Sequence, residues 1–249
     1  MTLFITSSPY LNDVDRAILN PENEFIQRLQ AVLPPNPREL FICADPMDHD
    51  GTCRFGADTV AAFALAGMAF SSYHVLDGTN AEDAALLIAD SDFIILGGGH
   101  VPTQLSFFED IGLRDLLADY PGVVMGISAG SMNMACTVYI QPEERGEASP
   151  FFRRFAPGLG LAEVSILPHC QKARHYMLDG KRLYEDITFA DSMGHTFFAL
   201  PDGSYFFQDD DGLLLCGKAY RIHNGILELL TMDGEVLDMA QLYPNSPHA

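Results

Sequence analysis

What the chain has little of narrows its function first. Lysine and arginine together number 14 against 34 aspartates and glutamates, a net charge of −20. Phosphate binding needs clustered cations, so this balance argues against a nucleic acid or an anionic membrane as partner. It suits neutral or cationic ligands, although an acidic surface also serves solubility alone. The five cysteines (Cys43, Cys53, Cys136, Cys170, Cys216) are odd in number and lack any Cys-x-x-Cys spacing. They read as reduced thiols of a cytoplasmic protein. No apolar run approaches the length of a membrane span. Residues 1–6 carry no basic stretch and read as a first strand, not a signal peptide. Repeats and low-complexity segments are also missing.

What is there is an alternation of short β-rich apolar runs with longer helical patterns. Runs 2–6, 39–43, 73–76, 93–96, 123–127 and 163–167 read as strands. Most are continuously apolar, as strands covered on both faces of a parallel sheet must be. Between them, 22–32, 56–69, 81–89, 104–118, 129–138 and 172–189 read as helices. The alternation predicts βαβ units, hence one α/β domain over residues 1–249 with a doubly wound, mostly parallel sheet. Beyond residue 195, short strands at 197–200, 205–208, 213–216, 219–223 and 226–231 are separated by turn clusters, among them Asn224-Gly225. The Asn-Gly pair predicts a hairpin. This region reads as an antiparallel C-terminal extension of the same sheet, with residues 243–249 fraying.

The sharpest chemical signal is Gly126-Ile127-Ser128-Ala129-Gly130, between an apolar strand and a small-residue helical pattern. A bare Gly-x-Ser-x-Gly is weak. In a strand–turn–helix setting it predicts an exposed nucleophile on a strained elbow, with glycines letting neighbouring backbone pass close by. Gly97-Gly98-Gly99-His100 directly follows strand 93–96, where α/β sheets bind ligands. The N–H of Gly98 or Gly99, with that of Ala129, would form an oxyanion hole. A serine needs a base, and His169, ending strand 163–167, lies at the same edge of the sheet. The orienting acid is open on spacing alone: Glu143, Glu144 and Glu147 cluster in a polar loop, where carboxylates are usually just solvated.

These motifs carry a resemblance. Gly-Ile-Ser-Ala-Gly-Ser after a strand, Leu-Gly-Gly-Gly-His upstream, and Leu-Pro-His and Leu-Pro-Asp-Gly downstream resemble the peptidase E and cyanophycinase family of serine peptidases. The resemblance implies a fold like the class I glutamine amidotransferases, a flavodoxin-like three-layer sandwich. It also implies a Ser–His–Asp/Glu triad in the chain order serine, acid, histidine. Carried over, Ser128 is the nucleophile, His169 the base and Glu143 the acid, with Glu144 as fallback. The substrate is then a small peptide cut at an Asp-containing bond, or a β-Asp-Arg bond as in cyanophycinases. His100, Arg174 and Arg182 are candidate substrate-binding residues. No metal or organic cofactor is expected, and a homodimer is left open.

Other signals weigh less. Asp45–Gly51 has metal-like side chains without the spacing of a calcium loop. Asp209–Asp211 reads as a hairpin turn, and Cys170, next to His169, as a core thiol. An esterase or acyl transferase of α/β-hydrolase type would share the elbow, but its histidine comes near the C-terminus, not 41 residues after the serine. A catalytically silent binding domain on the same scaffold is the non-enzyme alternative.

Overall fold

The computed structural model describes residues 1–12 and 14–242; the expected fraying of 243–249 lies outside them. Five parallel strands form its centre: β1 (Thr2–Thr6), β2 (Arg38–Ile42), β3 (Ser72–Leu76), β4 (Phe93–Leu96) and β5 (Val123–Ile127). Their spatial order is β1-β5-β4-β2-β3. Between them run α1 (Phe25–Val32), α2 (His49–Leu65), α3 (Ala84–Ala89), α4 (Val101–Asp110) and α5 (Leu113–Leu117), and α6 (Ala129–Asn133) follows β5.

The period-2 pleat divides the apolar strands between two cores. Leu3, Ile5, Leu40, Ile42, Ile94 and Leu96 face one, where α3 to α6 pack. Phe4, Phe41, Phe93 and Ile95 face the other, covered by α1 and α2 through Phe25, Leu29 and Phe63. Helices therefore cover both sides of the sheet. Several helices are shorter than their patterns. Gly112, at φ 65°, breaks the expected helix 104–118 into α4 and α5. The pattern 129–138 stops at Asn133, because β-branched Thr137 and Val138 go into a strand instead.

The later chain adds β6 (Thr137–Tyr139), β7 (Phe155–Pro157), β8 (Ile166–Leu167) and α7 (Cys170–Ala173). The expected helix 172–189 is not one helix. Asp179 and Gly180, at φ 50° and 79°, make a tight hairpin between β9 (Met177–Leu178) and β10 (Lys181–Arg182). A π-helical turn over Leu183–Thr188 then leads into α8 (Phe189–Asp191).

Six strands follow: β11 (Thr196–Ala199), β12 (Tyr205–Asp209), β13 (Gly212–Cys216), β14 (Ala219–His223), β15 (Ile226–Thr231) and β16 (Val236–Asp238). Only β12, β13 and β16 extend the central sheet, with β12 antiparallel to β1. The other three join β8 in a separate sheet of order β15-β14-β11-β8, which corrects the expectation of a single extended sheet. The Asn224-Gly225 hairpin forms as expected, with φ 49° and 76° at its corner.

Candidate active site

Ser128 sits between β5 and α6 with φ 52° and ψ −109°, a conformation that costs a non-glycine residue about 1–3 kcal/mol. The surroundings hold it there. Its N–H donates to the carbonyls of Thr6 and Ser7, and its carbonyl accepts from Met132 in the next turn. A Cβ at Gly126 would lie 2.6 Å from Ser131 Cα, and one at Gly130 would overlap the Leu96 carbonyl. Both flanking glycines are thus required by close packing, as the elbow pattern anticipates.

Beside the elbow runs the loop after β4. Gln104, fully buried, donates to the carbonyls of Gly97 (2.7 Å) and Cys43 (3.2 Å), pinning the base of that loop. A Cβ at Gly98 would stand 3.4 Å from Ser128 Cβ, so bare backbone borders the serine. Among the described residues, the N–H groups of Gly98, Gly99 and Ala129 have no protein acceptor. They remain free for a developing negative charge.

His169 follows β8 in a left-handed conformation (φ 53°, ψ 34°) that turns its ring toward the elbow. Nε2 lies 3.0 Å from Ser128 Oγ, and Nδ1 lies 2.6 Å from Asp202 Oδ1. A carboxylate can only accept, so Nδ1 carries the proton and Nε2 is left to accept from the serine hydroxyl. The Asp202 side chain is 2% exposed. Burial by itself would raise its pKa, but hydrogen bonds from His169, Ser7 and Gln171, with the His169 charge, hold it below the ordinary carboxylate range.

The acid at His169 is therefore Asp202, not Glu143 or the fallback Glu144. Glu143 is an exposed residue on the cleft wall, where partial desolvation raises its carboxyl pKa. Its loop is tied elsewhere: Glu147 accepts the N–H groups of Glu143 (2.8 Å) and Glu144 (3.0 Å) and meets His100 Nε2 at 3.0 Å. Asp202, Ser7 and Gln171 were missed as site residues. Asp202 alone had a signal, the Leu-Pro-Asp-Gly segment, whose Pro-Asp-Gly portion reads locally as a turn; Ser7 and Gln171 had none.

A cleft of about 400 Å³ opens over the serine, lined by Gly99, Ala129, Met132, Glu143, Lys172 and Tyr176 among others. Of the three substrate-binding candidates, none lines it. The His100 ring is occupied by Thr103 and Glu147, Arg182 pairs with Asp186 at 2.6 Å, and Arg174 is exposed beyond α7. The cation on the wall is Lys172, with Nζ 3.8 Å from Asp202 Oδ2.

A serine hydroxyl facing an imidazole backed by a buried carboxylate, at the carboxyl edge of a parallel sheet, is the arrangement of serine-type hydrolases. The match of residues 10–216 to Peptidase family S51 narrows that class, and the chain belongs to this family as a serine-type peptidase. Its fold is also that of a candidate peptidase E protein from Listeria monocytogenes EGD-e, whose crystal structure aligns with a TM-score of 0.57 at 17% identity. That alignment covers 92% of this chain and 98% of the other. No curated protein matches the chain. Among the described residues, no helix is long and apolar enough to cross a membrane.

Proposed function

We propose that the protein hydrolyses short peptides through Ser128, His169 and Asp202. The observation that carries this reading is the 3.0 Å approach of His169 Nε2 to Ser128 Oγ, with Nδ1 held by Asp202. Ser128 attacks the scissile carbonyl as His169 takes its proton, and Asp202 steadies the imidazolium that results. The N–H groups of Ala129 and of Gly98 or Gly99 bind the oxyanion. His169 then protonates the leaving amine, and water, activated by the same imidazole, resolves the acyl-enzyme.

The cleft's volume suits a ligand about the size of a dipeptide, which favours exopeptidase or dipeptidase action. Lys172 is the group available to an aspartyl carboxylate, so an Asp-containing bond is the first substrate. Glu143 on the same wall favours a second, a β-Asp-Arg bond, because it can meet a cationic substrate group.

A dipeptide panel containing Asp-X and β-Asp-Arg substrates, run with wild type and Ser128→Ala, tests the proposal. Turnover should fall by roughly 10⁴–10⁶-fold in the variant with the fold intact, and a fluorophosphonate should label Ser128 in wild type. Hydrolysis near the wild-type rate by Ser128→Ala would end the reading.

A further inference from the structure

A second cluster of nucleophilic and titratable side chains stands at the carboxyl ends of β2 and β3, apart from the hydrolytic triad. Asp48 caps α2 by accepting the Gly51 N–H at 2.9 Å. His49 and Cys53, four residues apart in that helix, therefore share a face. Asp77, just after β3, is 1% exposed. Its Oδ1 accepts from the Thr79 N–H (2.8 Å) and hydroxyl (2.6 Å), and its Oδ2 lies 2.6 Å from His49 Nδ1. Because the carboxylate only accepts, His49 Nδ1 carries the proton. The Cys53 sulfur lies beside the ring, 3.6 Å from Nε2 and 4.0 Å from Nδ1.

We propose that Cys53, with His49 and Asp77, forms a reactive-thiol site that exchanges with small aliphatic disulfides. The Cys53 proton passes to Nε2, and the resulting imidazolium, anchored by Asp77, faces the thiolate. The sulfur attacks one atom of the disulfide: a new S–S bond forms, the old one breaks, and the departing thiolate regains a proton from the imidazolium. The hydrogen bond to Asp77, followed by that residue's charge, raises the pKa of His49, which favours the charged ring. The other cysteines lack this setting. Burial pushes the Cys43 and Cys170 thiols up to about 12 and also raises Cys216. Cys136 is exposed, but partial burial and then Glu163 raise its thiol too.

Cys136 serves as an internal reference, since it is the more exposed of the two and accessibility alone would make it react first. The folded full chain is treated with iodoacetamide or with oxidised glutathione, and each cysteine peptide is followed by mass spectrometry. Cys53 should be alkylated at least about tenfold faster than Cys136 and should carry the glutathione adduct. His49→Gln, at a half-exposed position on the helix surface, should bring the Cys53 rate down to within about threefold of Cys136, and Asp77→Asn should act in the same direction. A Cys53 rate no higher than that of Cys136, or a high rate unchanged in His49→Gln, overturns the proposal.

Discussion

Ser7 Oγ donates to Asp202 Oδ1 at 2.9 Å and accepts the main-chain N–H of His169 at 2.7 Å. One hydroxyl thus joins the acid to the backbone of the base, and neither partner can drift without straining the other. Gln171 adds a 2.6 Å bond to Asp202 Oδ2, so both oxygens of the acid are held. This support acts on imidazole orientation and not on substrate. Ser7→Ala should therefore lower kcat by about tenfold with KM near its wild-type value. Steady-state kinetics on the best dipeptide checks this, and a change confined to KM would contradict it.

Asp202 and Glu143 are separable by kinetics. Asp202→Asn leaves the shape intact but disturbs the tautomer of His169, and should cost about 10⁴-fold in kcat. Glu143→Gln, which changes a group on the cleft wall, should act mainly on KM and alter kcat by less than about tenfold. The reverse ranking would return the acid's role to Glu143.

Glycines around the elbow answer different demands. Gly130→Ala would drive a Cβ into the Leu96 carbonyl in the core and should lower unfolding stability by about 1–3 kcal/mol. Gly98→Ala meets only ordinary or slightly tight contacts, 3.3 Å to the Ile127 carbonyl and 3.4 Å to Ser128 Cβ. It should melt near wild type, yet turn over about 10–100-fold more slowly by displacing the oxyanion loop. Paired thermal melts and rate measurements distinguish the two, and equal effects on both quantities would count against this division.

Two carboxyls move stability with pH in opposite directions. Asp202 has its folded pKa depressed, so its contribution is present above the unfolded value and is lost as pH falls through the folded one. Glu39, 1% exposed in β2 with neither carboxyl oxygen hydrogen-bonded, has its folded pKa raised well above the ordinary value by burial. Its contribution is present below the unfolded pKa and is lost as pH rises toward the folded one. Glu39→Leu removes that loss. The variant's advantage over wild type should grow as pH rises from the ordinary carboxylate range toward the raised folded pKa, by up to about 1.4 kcal/mol per pH unit, and then level off. Melting curves across that range report it, and an advantage independent of pH would show that Glu39 does not ionise on unfolding.

Ser128 and His169 were legible because each follows an apolar run that forms a strand, although the expected strand 163–167 forms only over Ile166–Leu167 and joins the smaller sheet, not that of β5. The five parallel strands were legible for the same reason. Asp202 was not. Its position depends on β12 pairing antiparallel with β1, a contact spanning some two hundred residues that no local pattern encodes. The β9–β10 hairpin was hidden as well, since the tight turn at Asp179-Gly180 interrupts a stretch otherwise helical in composition. Likewise, β11 and β12 look alike as short apolar strands, and only their distant partners send one to each sheet.

With β5 on one flank and β12 on the other, β1 works as a gauge for the whole centre. Thr6 is level with both Ile127 and Tyr205, so the serine and the acid are measured off the same rung, and Ser7 on the next rung ties in the histidine. Slipping β1 by a single residue would swap Phe4 with its neighbours between the two cores and carry the Ser7 hydroxyl to the opposite side of the sheet. Five residues near the start of the chain thus keep in alignment groups contributed by segments more than seventy positions apart.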